Sequence, residues 1–425
     1  MNKEVRSMKL KWIKRMSVGA AIAVLTAFFV VGCGSTEKQN NGSLSTDSSQ
    51  DISEVSTKQE VLEKSEVPKK SADELKREKV EQYLADMTTE EKVAQLFVIT
   101  PEAITDVQTV TAAGNATRKA LEKYPVGGMV YMKANLVSED QTKKLLENTK
   151  TMYKEIADLP IFLTVDEEGG TVARIAGNDG FSIENVGSMN LIGKSGDTDK
   201  AYEVGVTIGT YLSDLGFNVD FAPVADVLTN SENQIVAKRS FGSDSELVTN
   251  MVLAEMKGFE ETGILSCVKH FPGHGCTIGD THEGYAYTDK TREELQQEEL
   301  VPFQEACANG VPFVMVAHIS APNVIGDNTP SSLSPVMITD ILRNEWNYDG
   351  IVITDALNMG AIVQNYSSAD AAVKALQAGA DMLLMPENFQ EAYQGVLDAL
   401  ENGTLTQEQI DCSVRRILNV KLSMQ

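Results

Sequence analysis

Residues 264–282 read Ile264-Leu-Ser-Cys-Val-Lys-His-Phe-Pro-Gly-His-Gly-Cys-Thr-Ile-Gly-Asp-Thr-His282. The stretch opens on a short apolar run and turns, at Lys269 and His270, into glycines and titratable groups. The run reads as a buried strand, and Pro272 with Gly273, Gly275 and Gly279 argues against a helix directly after it. Three of the four histidines of the chain lie here. Histidine changes charge near neutral pH, so a strand end that feeds histidines into a loop is a candidate catalytic element.

The same grammar recurs on both sides. Short apolar runs at 96–100, 128–132, 161–165, 218–222, 264–269, 312–317, 351–354 and 381–385 alternate with stretches of helical periodicity, such as 140–157, 200–215, 245–262, 292–308 and 368–378. Thr88-Thr-Glu-Glu91 and Ser138-Glu-Asp140 are helix-start signals, and Gly216, Gly263 and Gly379 are helix stops. Eight strand-helix units predict an α/β fold, a (β/α)8 barrel of the TIM type. The competing arrangement is an open, doubly wound sheet. Polar residues favour the barrel: Asp166, Lys269-His270, His318 and Asp355 end the third, fifth, sixth and seventh runs, and a barrel gathers all such ends on one face. Two helical stretches follow Met385, so residues 79–425 are assigned to a single catalytic domain.

The amino-terminal region reads differently. Six basic residues precede the apolar stretch Ser17–Gly32, which ends at Cys33. Residues 1–32 are read as a secretory signal, and Val30-Val-Gly-Cys33 resembles a lipobox, which makes Cys33 the lipidation site. The stretch is short of the roughly 20 residues of a membrane span. Residues 33–78, polar and nearly free of aromatics, are read as a disordered tether. The expected location is extracytoplasmic, lipid-anchored to a bacterial cell membrane. A formal charge of −24 excludes nucleic acid as a partner. The scattered cysteines Cys267, Cys276, Cys307 and Cys412 suggest no disulfide framework, and no obligate protein partner is evident.

Several chemistries compete for the histidine segment. A metal pair of His270 and His274 would need a helix that Pro272-Gly273 breaks, and Lys269 would repel a cation. Phosphate cradling lacks a clear following helix. Cys276 offers a thiol nucleophile, and His274, between two glycines, is read as structural. The remaining reading is acid–base catalysis, with Asp280 accepting one ring N–H of His282 while the other nitrogen exchanges protons with substrate. Asp355, at the mouth of an apolar strand, is the candidate nucleophile; its alternative is a helix cap.

Lys269-His-Phe-Pro-Gly-His-Gly275 with Asp280-Thr-His282 resembles the signature of glycoside hydrolase family 3, in its β-N-acetylglucosaminidase branch. Val165-Asp-Glu-Glu-Gly-Gly-Thr-Val-Ala-Arg174, Asn218-Val-Asp-Phe-Ala-Pro-Val-Ala-Asp-Val227, Lys238-Arg-Ser-Phe-Gly242, Val314-Met-Val-Ala-His318 and the segment around Asp355 agree with it in order and spacing. The resemblance implies Asp355 as nucleophile, His282 as general acid/base and Asp280 as its assistant. It implies Asp166, Arg174, Arg239, Lys269 and His270 as sugar ligands, with Asp226 and His318 in support.

It further implies a retaining exo-hydrolase acting on N-acetylglucosamine-containing glycans of peptidoglycan or chitin, with no metal or organic cofactor. Two features depart from the family pattern. Many members place the acid/base on a second domain, and Cys276 stands where a small or acidic residue is expected. The rivals are a phosphorylase of the same family, a non-catalytic sugar-binding lipoprotein built of two lobes about a hinge, and a metal-dependent hydrolase.

Overall fold

The computed structural model describes residues 70–281, 284 and 286–425. The signal 1–32, Cys33 and most of the tether lie outside the described residues, as does His282. Eight short parallel strands form the centre: β1 (Phe97–Ile99), β2 (Gly128–Val130), β3 (Phe162–Val165), β4 (Val219–Asp220), β5 (Leu265–Phe271), β6 (Phe313–Val316), β7 (Ile351–Thr354) and β8 (Leu383–Leu384). Each pairs with its neighbours in sequence, and β1 pairs with β8 through Phe97 opposite Leu383. A parallel bridge between Ile353 and Met382 joins β7 to the start of β8 and closes the ring. Seven of the strands fall within the apolar runs of the sequence and β5 extends two residues past its run, to Phe271; the barrel forms rather than the open sheet.

Closure works because parallel strands bury both faces and need no polar alternation. Phe162 of β3 and Phe313 of β6, on strands that are not neighbours, meet edge-to-face at 5.2 Å and fill the interior. Beneath them Lys421 reaches in from the last helix, Gln407–Ser423, with Nζ 5.1 Å from the Phe162 ring centroid and 2.8 Å from Gln95 Oε1.

The outer helices begin and end where the sequence signals them. Ser138 caps Glu139–Ala157, and Asp244 caps Ser245–Thr262, each through its side chain. Gly216, Gly263 and Gly379 adopt left-handed conformations one residue past their helices, a geometry open to glycine without a Cβ penalty. Glycine also sets one helix crossing. A Cβ on Gly205 would stand 2.2 Å from the Glu255 carbonyl oxygen, so helices Thr198–Leu215 and Ser245–Thr262 touch backbone to backbone.

Two expectations shift. A helix over Ala72–Asp86 begins inside the stretch assigned to the tether. Ser71 and Glu74 form a reciprocal capping box, Val80 and Leu84 are buried, and Glu81 pairs with Arg415 of the last helix. The barrel domain therefore starts near residue 71, not 79. The single stretch 292–308 is two helices, Arg292–Gln297 and Val301–Ala308, with Pro302 in the first turn of the second.

Candidate active site

Asp166 follows β3, Lys269 and His270 lie in the carboxyl-terminal half of β5, and Asp355 follows β7. All four, with Arg174 and Arg239, line one pocket of about 330 Å³ at the carboxyl ends of the strands. Glu168, His274 and Thr281 join them there. A wider cleft of about 1040 Å³ opens at the other end, where Ile161, Ile264 and Pro312 precede their strands. It is lined by Lys150, Lys154, Lys257 and Glu260 without any histidine or aspartate, and none of the site residues expected from the sequence lies there.

The pocket is built on a buried ion cluster. Lys269 Nζ donates to Asp166 Oδ1 at 2.8 Å and lies 2.7 Å from Glu168 Oε1. Arg239 donates to Glu168 through Nε and Nη2, both at 2.7 Å, the bidentate fork that carboxylates bind best. Burial alone would raise the Glu168 carboxyl, but Arg239 and Lys269 hold it far below the usual range. Burial would likewise lower the Lys269 ammonium, and Asp166 with Glu168 keeps it raised and charged. Glu168 was not singled out in the sequence, where it is the middle member of Glu167-Glu168-Gly169. Arg239 and Lys269 are thus tied to protein carboxylates and present their remaining N–H groups to the pocket.

Glu167 faces away from the pocket and organises the turn that brings Arg174 back. Its Oε2 accepts the backbone N–H groups of Arg174 at 2.6 Å and Ile175 at 2.9 Å, and its Oε1 those of Ala176 and the Tyr211 hydroxyl, both at 2.8 Å. Asp220 at the end of β4 accepts the Glu167 N–H at 2.9 Å. Arg174 Nη2 stands 4.0 Å from Asp166 Oδ2. Asp166 and Arg174, the two residues of this segment expected from the sequence to bind sugar, are therefore adjacent.

His270 is fixed from both sides. Its Nδ1 lies 2.7 Å from Asp226 Oδ2, and its Nε2 lies 3.1 Å from Arg239 Nη2. A guanidinium can only donate, so the network assigns the proton to Nδ1 and leaves Nε2 as acceptor. Burial would raise the Asp226 carboxyl, but His270 outweighs it and keeps the group below its ordinary value. The other Asp226 oxygen accepts the His274 N–H at 2.5 Å. His274 itself is 3% exposed, packs edge-on to His270 at 6.1 Å, and is held neutral by burial. His270 is not arranged as a metal ligand, since its Nε2 faces the Arg239 cation. Among the described residues no group of three His, Cys, Asp or Glu side chains could hold a metal ion.

Asp355 closes the pocket on the far side. Its N–H donates to Val316 O at 2.8 Å, and its Oδ1 accepts the Ala356 N–H at 2.8 Å. Burial would raise this carboxyl, yet His318, the Ala356 N–H and Lys269 outweigh it, so Asp355 is ionised below the usual carboxylate range. His318 Nε2 donates to the Ala356 carbonyl at 2.9 Å and Nδ1 meets Ser332 Oγ at 2.7 Å, which locks the residue after Asp355. Thr281 comes to the same pocket, where the Ala361 N–H donates to its carbonyl oxygen at 3.1 Å, and Asp280 precedes it without lining the pocket. Burial pushes the Cys276 thiol up to about 12, so Cys276 is no thiolate nucleophile.

The described residues form one barrel with the expected site residues gathered at one end, rather than two lobes about a hinge. The model of the glycosyl hydrolase family 3 N-terminal domain matches residues 88–420. The chain is 34% identical over 328 residues to β-hexosaminidase A of Pseudoalteromonas piscicida, covering 72% of this chain and 54% of that one. It is 31% identical to β-hexosaminidase LpqI of Mycobacterium tuberculosis, covering 79% of this chain and 83% of the relative. A solved structure, the family 3 β-N-acetylglucosaminidase of Paenibacillus sp. FPU-7, superposes with a TM-score of 0.74 at 36% identity, over 80% of this chain and 63% of that one. The chain thus spans little more than half of the Pseudoalteromonas protein and most of the mycobacterial one. With strands, pocket and matched span in agreement, this chain belongs to glycosyl hydrolase family 3.

Proposed function

We propose that the chain is a retaining exo-β-N-acetylglucosaminidase. The observation that carries this reading is Asp355, an ionised carboxylate at the end of β7, facing a pocket lined by Asp166, Arg174, Lys269 and His270. A carboxylate kept charged in a confined polar pocket can attack a sugar C1. In the first step an Asp355 oxygen bonds to C1 as the bond from C1 to the leaving oxygen breaks. His282, assisted by Asp280, gives that oxygen its proton. In the second step His282 takes a proton from water, whose oxygen bonds to C1 and releases Asp355. The sequence as written needs no cofactor.

The substrate class, N-acetylglucosamine-terminated fragments of peptidoglycan or chitin, is supported by the hexosaminidase relatives. A lipid anchor at Cys33 and an extracytoplasmic location at the cell membrane belong to the same proposal and rest on the sequence alone. Phosphorolysis is less favoured for a stated reason. Arg239 and Lys269 are already neutralised by Glu168 and Asp166, so a phosphate acceptor meets little unbalanced positive charge.

Turnover of a chromogenic N-acetylglucosaminide tests the reading. Asp355→Ala should lose several orders of magnitude in kcat, and His282→Ala less when the leaving group is already good. A glycosyl adduct should be trapped on Asp355; an adduct on another side chain, or full activity in Asp355→Ala, ends the proposal. Sugar-1-phosphate as the main product in phosphate buffer would favour the phosphorylase.

A further inference from the structure

A buried glutamate joins the two ends of the segment that carries Asp280. The segment leaves β5 at Gly273 and ends at Lys290. Within this arm Ile278 and Tyr287 exchange two backbone hydrogen bonds of 3.0 Å, which tie its outgoing and returning limbs together. Glu299 sits in the break between helices Arg292–Gln297 and Val301–Ala308 and is wholly buried. Its Oε1 accepts from Thr229 Oγ1 at 2.6 Å and from Lys290 Nζ at 2.5 Å. At the other end of the segment, a Cβ on Gly273 would stand 2.9 Å from the Glu299 Cβ. Gly273 has φ of 125°, so this close approach is open to glycine alone.

Thr229 ties in the neighbouring loop. Beside it Asn230 Nδ2 donates to Thr277 O at 2.8 Å, and Asn233 Nδ2 donates to His274 O at 2.8 Å. The Glu299 side chain thus packs its stem beside Gly273 at the start of the arm, while its carboxylate bonds Lys290 at the end of the arm and Thr229 in the loop against which the arm lies. None of Glu299, Lys290 and Thr229 lines the pocket, so any effect on chemistry must pass through the arm or through the Thr229 loop, which carries Arg239. Asp355 is held separately, by β7 and by the Val316 and Ala356 backbone.

We infer that Glu299 is a positioning residue for the proton-transfer half of the reaction, its staple to Lys290 and Gly273 setting where the arm holds Asp280 relative to Asp355. The role rests on the glycosidase reading proposed above. Loosening the staple degrades proton delivery to the leaving oxygen and spares nucleophilic attack. Leaving groups that need protonation then suffer, and those that depart unaided do not.

The test uses the full chain and aryl β-N-acetylglucosaminides graded in leaving-group acidity, from methylphenyl to dinitrophenyl. Glu299→Ala and Lys290→Met should lose about 10- to 100-fold in kcat/KM on the poorest leaving groups and no more than about 3-fold on the dinitrophenyl glycoside. Glu299→Gln keeps an acceptor for Thr229 and Lys290 and should recover most of the loss. Leu418→Ala, a cavity in the last helix, should lower Tm without changing the leaving-group dependence. A uniform loss across the series, or none, overturns the role while the glycosidase reading stands. A wild type that turns over no member of the series overturns that reading and the role with it.

Discussion

Glu168 grips Arg239 with two parallel hydrogen bonds of 2.7 Å while the same carboxylate lies 2.7 Å from Lys269. The two cations of the pocket are thereby held in place in advance, which on the proposed glycosidase reading lowers the ordering cost of binding. Glu168→Gln breaks the fork and leaves two buried cations with one carboxylate between them. A loss of about 3 kcal/mol in stability is expected, since removing one partner of a buried pair strands the other. kcat/KM should fall roughly 100-fold, which corresponds to about 2.7 kcal/mol. Urea unfolding beside steady-state kinetics checks both, and unchanged values would show the fork to be dispensable.

The pair of Asp226 and His270 makes a tautomer prediction. Asp226→Asn can offer an N–H where an acceptor stood, which drives the His270 proton to Nε2 and against the Arg239 N–H groups. Nitrogen NMR of the ring should show the tautomer exchanged, with kcat/KM down roughly 10- to 100-fold. An unaltered ring spectrum would remove the basis for assigning the proton to Nδ1.

Glu255 predicts a pH dependence of stability. It is 1% exposed, both carboxyl oxygens lack a hydrogen-bond partner, and burial, reinforced by the charge of Glu168, pushes it up to about 8. The folded state holds a proton that the unfolded chain has lost, so stability falls as pH rises from the ordinary glutamate value to about 8. The full effect is on the order of 4 kcal/mol. Glu255→Gln should flatten this slope in unfolding measured across pH 5–8. A residual fall of the same sign is expected from Asp220, which burial also raises. An identical slope in the variant would show that Glu255 is not the group responsible.

Lys421 and Gln95 should be coupled. Burial holds the Lys421 amine well below its ordinary value, and Gln95 Oε1 accepts from it at 2.8 Å. Removing one member leaves the other buried without its partner, whereas replacing both by apolar residues does not. The double variant Gln95→Leu with Lys421→Met should be more stable than the two single changes predict by about 1–2 kcal/mol. Simple additivity would mean that the barrel floor relaxes around each change.

The barrel was legible because its signals are local. Ser245–Thr262 and Ser368–Ala378 were readable to the residue, each lying between a capping side chain and a left-handed glycine. The ends of β3, β5 and β7 announced themselves as titratable groups after apolar runs. Glu167 and Glu168 did not, because adjacent acidic residues look alike until the chain turns them to opposite sides. One becomes a backbone pin and the other an ion-pair anchor. Glu299 was hidden likewise, in an acidic stretch that reads as a solvated helix face until Pro302 breaks it. The helix at Ala72 was missed because few of its residues are apolar; what holds it is distant in sequence, as in the pair of Glu81 and Arg415.

The seam between β1 and β8 has a bearing on synthesis. Phe97–Ile99 is made first of the eight strands, and its partner Leu383–Leu384 follows only after the other six. Until then one margin of the nascent sheet carries unmatched backbone donors and acceptors, open to pairing with any other extended chain. The architecture thus makes arrest of translation before β8 a hazard, since such a polypeptide would keep that margin permanently.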